Sequence, residues 1–271
     1  MIISFINNKG GVLKTTLATN ICAVFSKFFP KTRSVIVDLD GQGNVSATFG
    51  QHPERLKNTL IDIFRGEKDI DDCVLNVFTG IDILPSNHEL SFVDMDVARK
   101  EYKLSVIKNI IEKLDETYDF VFLDTPPAMS TIVSVSMHIS DVIVIPFEPD
   151  QYSILGLLRV IDTIETFKER NEDLKVLVVP TKVNVRTKLH NDILSIVKTK
   201  INKKNIPLSK NIVSFTTKSS ASVGYEKLPI VLINQKSKYQ QEYIEITKEI
   251  INLIRETIKE KKERESKQDG E

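Results

Sequence analysis

Short apolar runs alternate along the chain with longer segments in which apolar residues recur every three or four positions. Continuous runs rich in β-branched residues and bounded by polar or turn residues are typical of strands buried on both faces, and they occur at residues 1–6, 34–40, 119–124, 141–147 and 174–180. Helical spacing predicts helices at residues 14–29, 87–115, 151–171, 187–204 and 238–262. Residues 65–90 are predicted to be irregular, with a short strand pair.

The alternation of strands and helices predicts an α/β fold, with a mostly parallel twisted sheet flanked by helices on both faces. We expect one domain over residues 1–258 of the 271-residue chain. The last stretch, KEKKERESKQDGE, has no apolar face and predicts a charged, disordered tail at residues 259–271. Ligands of such sheets bind beyond the carboxyl ends of the strands, which is where functional residues are expected.

Composition narrows the class of protein. With 41% hydrophobic residues the chain can bury a large core. The two cysteines, Cys22 and Cys73, have no C-x-x-C spacing, which argues against a disulfide framework or a zinc site and favours a reducing compartment. The amino terminus does not resemble a signal peptide, and no apolar run approaches the roughly 20 residues of a membrane span. We therefore expect a cytoplasmic protein.

Charge is distributed unevenly along the chain. The formal net charge is zero, yet thirteen lysines and arginines face only two acidic residues between Lys175 and Tyr239. Such asymmetry indicates an anionic polymer or surface as a partner, although solvated lysines are the simpler alternative.

The stretch KGGVLKTT, residues 9–16, follows the first strand and opens the first helix. It resembles a phosphate-binding loop, G-x-x-x-x-G-K-[ST], but Asn8 and Leu13 occupy both glycine positions of that pattern. Converging N–H groups and the helix N-terminus can bind phosphate oxygens. Lys14 can then reach the β- and γ-phosphates, Thr15 can offer its hydroxyl to Mg²⁺ and Thr16 can reach the α-phosphate.

Carboxylates follow two of the predicted strands. Asp38 and Asp40 lie two residues apart, so both can point to the same site. They are suited to holding hydrated Mg²⁺ or to orienting an attacking water. Asp124 ends another apolar strand, as a Walker B aspartate does. A strand-to-turn junction without function remains the alternative for Asp38 and Asp40.

Five stretches in this order carry a more specific resemblance: KGGVLKTT, DLDGQGN, FVFLDTPPAMS, PFEPDQYSILGLLRVID and TKVNVRTKL. Together they resemble the ParA/MinD superfamily and most closely its ParA/Soj-type DNA-segregation ATPases. The resemblance covers about residues 1–255. It implies a deviant Walker A loop in which Lys9 reaches across an ATP-sandwich dimer, so that a residue other than glycine at Asn8 is normal. Leu13 departs from the family, which almost always has glycine there; its side chain would be strained at a positive φ, and turnover would be slow.

The resemblance also implies roles for individual residues. Catalytic roles go to Lys9, Lys14 and Asp40, with Asp40 orienting the water, while Thr15, Asp38 and Asp124 would hold Mg²⁺. A nucleotide-responsive switch would include Gln42, Gly43 and Asn44. ATP would be bound by Lys9, Gly10, Gly11, Val12, Leu13, Lys14, Thr15, Thr16 and, at the purine, Asn184.

Partners follow from the same resemblance. An ATP-dependent homodimer would bind non-specific DNA, would associate with the nucleoid and would be released when a ParB-like centromere-binding protein stimulates hydrolysis. No membrane partner is expected. The candidates for DNA contact are Lys182, Arg186, Lys188, Lys203, Lys204, Lys210 and Lys218.

Other functions remain open on the sequence alone. A MinD-like membrane-associated positioning ATPase would use the isoleucine stripe of YIEITKEIINLIRETIKE as an anchor, although this stripe is more typical of a core-packing face. A metabolic ATP-dependent ligase or synthetase is disfavoured by Lys9 and the basic segment. An iron-sulfur reductase is disfavoured by the positions of the two cysteines. A nucleotide-binding scaffold without hydrolysis would follow if Leu13 blocked turnover.

Overall fold

The computed structural model describes residues 1–100, 103–169, 171–233 and 236–268. Its strands are β1 (Ile2–Phe5), β2 (Ser34–Asp38), β3 (Leu75–Phe78), β4 (Ile81–Leu84), β5 (Phe120–Asp124), β6 (Val142–Phe147) and β7 (Lys175–Pro180). Its α-helices are α1 (Lys14–Phe28), α2 (Asn44–Thr48), α3 (Leu60–Phe64), α4 (Ile70–Cys73), α5 (Val93–Ala98), α6 (Ser105–Thr117), α7 (Thr131–Ile139), α8 (Ser153–Lys168), α9 (Lys188–Asn202), α10 (Lys218–Ala221) and α11 (Lys238–Gln268). Shorter turns of 3₁₀-helix are at Pro53–Arg55, His88–Phe92 and Ile230–Leu232, and a π-helical turn is at Ser222–Glu226.

The strands form one sheet in the order β3-β4-β2-β5-β1-β6-β7. Every neighbouring pair is parallel except β3 and β4, which are antiparallel. This confirms the predicted α/β fold and the short strand pair within residues 65–90. The five predicted strands all form and differ from the observed bounds by no more than two residues.

Alternate side chains of the central strands enter cores on opposite faces of the sheet. Ile3, Phe5 and Phe122 point toward α1 and α11, where they join one apolar cluster. Val121 and Leu123 point the other way, toward α3 and α6. Burial on both faces explains why these strands read as continuous apolar runs.

The helix predicted at residues 87–115 is wrong, because this stretch contains two helices and a 3₁₀ turn. α5 ends before Lys100, whose backbone is left-handed with φ 62°, and α6 begins only at Ser105. A left-handed residue just past a helix satisfies the last carbonyls and ends the helix there.

α11 runs further than the sequence predicted. Its last turns lie beside β7, where Lys175 pairs with Glu260 at 2.7 Å and Arg264 with Asp173 at 2.6 Å. The tail predicted to be disordered from residue 259 is therefore helical as far as Gln268, and residues 269–271 lie outside the described part. The domain boundary at residue 258 stays a prediction.

Candidate nucleotide site

The loop at residues 9–13 joins the central strand β1 to α1. It is anchored beneath by Asn7, whose side-chain amide donates to the Pro146 carbonyl at 2.6 Å and whose amide oxygen accepts from the Lys9 N–H at 2.9 Å. Gly11 and Leu13 both have left-handed backbones, with φ 72° and 71°. The loop therefore curls over the carboxyl end of the sheet and presents its N–H groups in the manner of an anion-binding nest.

Lys14 lies under this loop and is only 8% exposed. Its Nζ donates to the carbonyl oxygens of Asn7 and Lys9, each at 3.2 Å. Burial lowers the pKa of Lys14, and the charges of Asp124 and Asp40 oppose that shift. The ammonium group is thus held near both carboxylates by the loop that it supports.

Asp38 and Asp124 are fully buried neighbours on β2 and β5. Asp38 accepts N–H bonds from Asp40 and Val45, both at 3.1 Å, one on each carboxylate oxygen. Burial, together with the charge of Asp124, raises the pKa of Asp38 well above its usual range. Asp38 therefore positions the loop that carries Asp40, and its predicted contact with Mg²⁺ stays a prediction.

Asp124 accepts a hydrogen bond from the Thr15 hydroxyl at 2.5 Å through Oδ2. Its Oδ1 is buried and has no partner among the described residues. Burial raises the pKa of Asp124 to about 7, against the opposing effects of Thr15 and Lys14. An orphaned carboxylate oxygen beside a threonine hydroxyl suits a hard cation that takes its remaining ligands from water and phosphate.

Lys9 lies at the other side of the loop, and its side chain is folded back onto its own chain. Its Nζ is 3.4 Å from Glu148, donates to Ser153 Oγ at 3.1 Å and pairs with Asp150. Although burial acts in the opposite direction, the hydrogen bonds from Lys9 and Ser153 hold the pKa of Asp150 at about 2.

A cavity of about 700 Å³ opens above the loop. The loop and the start of α1, Asp40, helix α2 and Pro127 line one part of it. Lys182 and residues 213–217, 219, 220, 223 and 224 line the rest. From the sequence, the loop residues, Thr15, Thr16 and Asp40 were predicted for the nucleotide site and Lys182 for DNA contact. The residues of 213–224 that line the cavity were not predicted. A second cavity, of about 760 Å³ beside Arg33 and Tyr118, lies at the amino ends of the strands and shares none of these residues.

The predicted purine contact, Asn184, is exposed and does not line the cavity. Its side-chain oxygen accepts from the Arg186 N–H at 3.1 Å, and its own N–H donates to His190 Nδ1 at 3.1 Å. These bonds shape the turn between β7 and α9. In the structure Val213, Phe215 and Thr216 line the cavity instead.

The predicted DNA contacts are divided among different environments. Lys182 faces the cavity. The Lys204 Nζ lies 2.9 Å from Asp162 Oδ1 and also pairs with Glu165, so two neighbouring carboxylates neutralise its charge. The other candidates are exposed: Arg186, Lys188, Lys203, Lys210 and Lys218.

Leu13 allows a direct test of strain in the loop. A left-handed backbone costs a non-glycine residue about 1–2 kcal/mol, but the Leu13 side chain packs against the core under α1. Glycine would remove the strain, lose about 1 kcal/mol of apolar burial and add about 0.5–1 kcal/mol of unfolded-state entropy. We therefore expect Leu13→Gly to change the free energy of unfolding by less than about 1 kcal/mol.

Leu13→Val is the matched variant, because a β-branched residue tolerates positive φ poorly. We expect it to lower the free energy of unfolding by about 1–2 kcal/mol in urea titrations. Equal stability of the valine variant and the native protein would show that the loop is not strained.

Comparison with known proteins places this site in a family. A family model described as an AAA domain matches residues 1–176. A ParA family protein of Mycoplasma pneumoniae is 62% identical over 265 residues, which are 94% of this chain and 98% of that protein. The chain belongs to the ParA family. This confirms the resemblance to the ParA/MinD superfamily, and the chain is accordingly a ParA-type P-loop ATPase.

More distant members and folds agree with this assignment. The chromosome partitioning protein ParA of Caulobacter vibrioides is 26% identical over 261 residues, covering 94% of this chain and 95% of that protein. A cobyrinic acid a,c-diamide synthase of Mycobacterium smegmatis, solved with an ATP analogue and magnesium, has a TM-score of 0.77 at 23% identity, covering 92% and 93% of the two chains. The second similarity shows the fold alone, so it does not favour ligase chemistry over the ParA family.

Proposed function

We propose that this ParA family ATPase is a DNA partition protein. In this proposal an ATP-bound sandwich dimer binds DNA without sequence preference and is released when a ParB-like partner stimulates slow hydrolysis. The observation that supports it is that residues 213–217, 219, 220, 223 and 224 line the cavity above the loop, while Lys218, within the same stretch, is exposed. A bound nucleotide and a DNA-facing cation would thus share one segment of chain.

The loop supplies the groups that would hold ATP. Gly10, Gly11, Leu13 and the start of α1 line the cavity, where their N–H groups would bind phosphate oxygens. Lys14 would donate to the phosphate chain from below. Thr15 and Asp124 fit Mg²⁺, because a hydroxyl lies beside a buried and unpaired carboxylate oxygen. When bound there, Mg²⁺ would neutralise charge on the phosphates.

In this proposal Asp40 would orient the attacking water. It lines the cavity, and its backbone is fixed by the N–H bond to Asp38. One of its carboxylate oxygens accepts from the Gln42 N–H at 3.1 Å. The proposed switch begins here, since Asn44 also lines the cavity at the start of α2.

Dimer formation would require Lys9 to leave Glu148 and Asp150. All three side chains are between a quarter and a half exposed, and ion pairs of this kind contribute little net stability. In the proposed dimer, the triphosphate of ATP bound to the second copy would replace Glu148 and Asp150 as the anionic partner of Lys9. Lys9 is therefore available for the cross-dimer contact that the family resemblance implies.

The MinD-like alternative depended on the isoleucine stripe of the last helix. Ile246, Ile250 and Ile254 of α11 are buried against α1, which confirms that the stripe packs in the core. Within the described part of the chain, no helix is both long and apolar enough to cross a membrane. The burial of this stripe against α1 favours DNA over a membrane as the anionic partner.

The deciding experiment measures binding of the purified protein to a random-sequence duplex with ATP and Mg²⁺, with ADP, and without nucleotide, over a salt series. We expect tight binding with ATP only, weakening steeply as salt rises because phosphate contacts release counterions. Lys218→Ala should reduce this binding, while Lys57→Ala, an exposed lysine outside the basic segment, should not. Absence of binding in all three nucleotide states would refute the proposal, and liposome binding under the same conditions would favour a MinD-like role.

A further inference from the structure

Lys182 follows β7 at the edge of the cavity and is held from both sides. The neighbouring Thr181 donates its hydroxyl proton to the Val12 carbonyl of the loop at 3.1 Å. On the other side, the Val183 N–H donates to the Val213 carbonyl at 3.0 Å. The backbone at Lys182 is left-handed, with φ 51°. Local contacts thus fix an unusual conformation between the phosphate-binding loop and the opposite cavity wall.

The Lys182 side chain extends over the loop. Its Nζ would lie 3.9 Å from a Cβ placed on Gly11, so the absence of a side chain at Gly11 leaves this space open. Among the described residues that line the cavity, the lysines are Lys14 and Lys182. Lys14 lies below the loop and Lys182 beside it, so a polyanion on the loop would meet a cation on two sides.

Lys182 forms a weak ion pair with Glu148. The Lys182 Nζ lies 3.7 Å from the Glu148 carboxylate, which also pairs with the Lys9 Nζ at 3.4 Å. The Lys182 side chain is 29% exposed and that of Glu148 is 27% exposed, so solvent screens the pair and its net contribution is small. A phosphate chain carries several negative charges and would accept a charge-assisted hydrogen bond from Lys182, so it could displace the single carboxylate of Glu148.

We propose that Lys182 is a nucleotide-binding residue that contacts the phosphate chain, and not a DNA contact as the sequence suggested. This inference rests on the proposed function, because it assumes that the cavity holds ATP. Lys182 would add a cation from β7 to those of the loop itself. It would also link nucleotide binding to residues 213–224, since Val183 pairs with that segment.

The test measures dissociation constants for ATP, ADP and adenosine by calorimetry, for the native protein and for Lys182→Met, Lys182→Arg and Lys198→Met. Lys198 is an exposed lysine of α9 and serves as the control for loss of one charge. We expect Lys182→Met to weaken ATP and ADP binding about tenfold, as for the loss of one charge-assisted hydrogen bond. Adenosine binding should not change, and arginine should retain most of the affinity.

A second measurement separates the two roles of Lys182. DNA binding is recorded at saturating ATP, where a pure nucleotide defect is overcome. Unchanged ATP affinity of Lys182→Met together with weaker DNA binding would overturn the inference and restore the DNA role. If circular dichroism shows that the methionine variant does not fold, ATP affinity is measured for Lys182→Gln instead. A tenfold loss in that variant supports the inference, and an unchanged affinity contradicts it. Failure of the native protein to bind ATP would instead refute the proposed function itself, and this inference with it.

Discussion

Replacement of Asp40 by alanine should reduce ATP hydrolysis at least about a hundredfold while leaving ATP binding nearly intact. A positioned base or water-orienting group contributes about 10²–10⁴ in rate. Asp40 is the carboxylate suited to this, because it lines the cavity whereas Asp38 is fully buried with both oxygens accepting backbone N–H bonds. The proposed phosphate contacts come from the loop and Lys14, and the substitution removes none of these groups, although it removes one of the two carboxylate charges that act on Lys14.

Single-turnover hydrolysis and calorimetric ATP affinity would be measured side by side for this variant. Asp192→Ala, which removes an exposed carboxylate from α9, is the control and should match the native protein in both. We also expect the Asp40 variant to stay on DNA longer, since release is proposed to follow hydrolysis. Native hydrolysis rates in the Asp40 variant would show that another group positions the water.

The fold could be predicted from the sequence because short stretches of the chain carry the patterns that predict each strand and helix. Strands buried on both faces give continuous apolar runs, and the order of strands and helices fixes a mainly parallel sheet. The end of α5 before Lys100 could not be predicted in the same way. The apolar period continues across residues 87–115, but α5 ends just before the left-handed Lys100, and α6 begins at Ser105.

The candidate site was readable as far as it depends on strand ends. Lys14, Asp40 and Asp124 come together because adjacent parallel strands end at the same edge of the sheet. The opposite wall has no periodic pattern, and long-range contacts position it. Ser214, for example, donates from its N–H at 2.9 Å and from its hydroxyl at 2.5 Å to Glu242 of α11.

Charge counting located a basic segment but could not assign its members. Folding turns Lys182 into the cavity and pairs Lys204 with two acidic residues of α8. The sequence shows no acidic residue near Lys204, because Asp162 and Glu165 come from a helix some forty positions earlier. The candidates that remain exposed, and on which the proposed DNA contact depends, are Arg186, Lys188, Lys203, Lys210 and Lys218.

Replacement of Lys14 by methionine should lower ATP affinity at least about a hundredfold. The Lys14 ammonium is buried and already aimed into the loop by the carbonyl oxygens of Asn7 and Lys9, so its hydrogen bonds to phosphate cost little reorganisation. The two carbonyl bonds leave one N–H for phosphate. A bond from a charged donor is worth about 1.5–3 kcal/mol, and the attraction between the buried ammonium and the triphosphate would add to it, which together correspond to the expected loss. Exposed Lys198→Met is the charge control and should bind ATP as the native protein does.

The same substitution should also weaken the dependence of ATP binding on Mg²⁺. Burial raises the pKa of Asp124 to about 7, and Lys14 is one of the two groups that hold it down. Without the lysine that pKa rises further, so more of the Asp124 population is protonated at neutral pH and fewer molecules can take a cation. Raising the pH from 7 to 9 should then restore part of the Mg²⁺ effect in Lys14→Met, while the native protein changes less. Identical pH profiles for the two proteins would mean that Lys14 acts on phosphate alone and does not set the charge of Asp124.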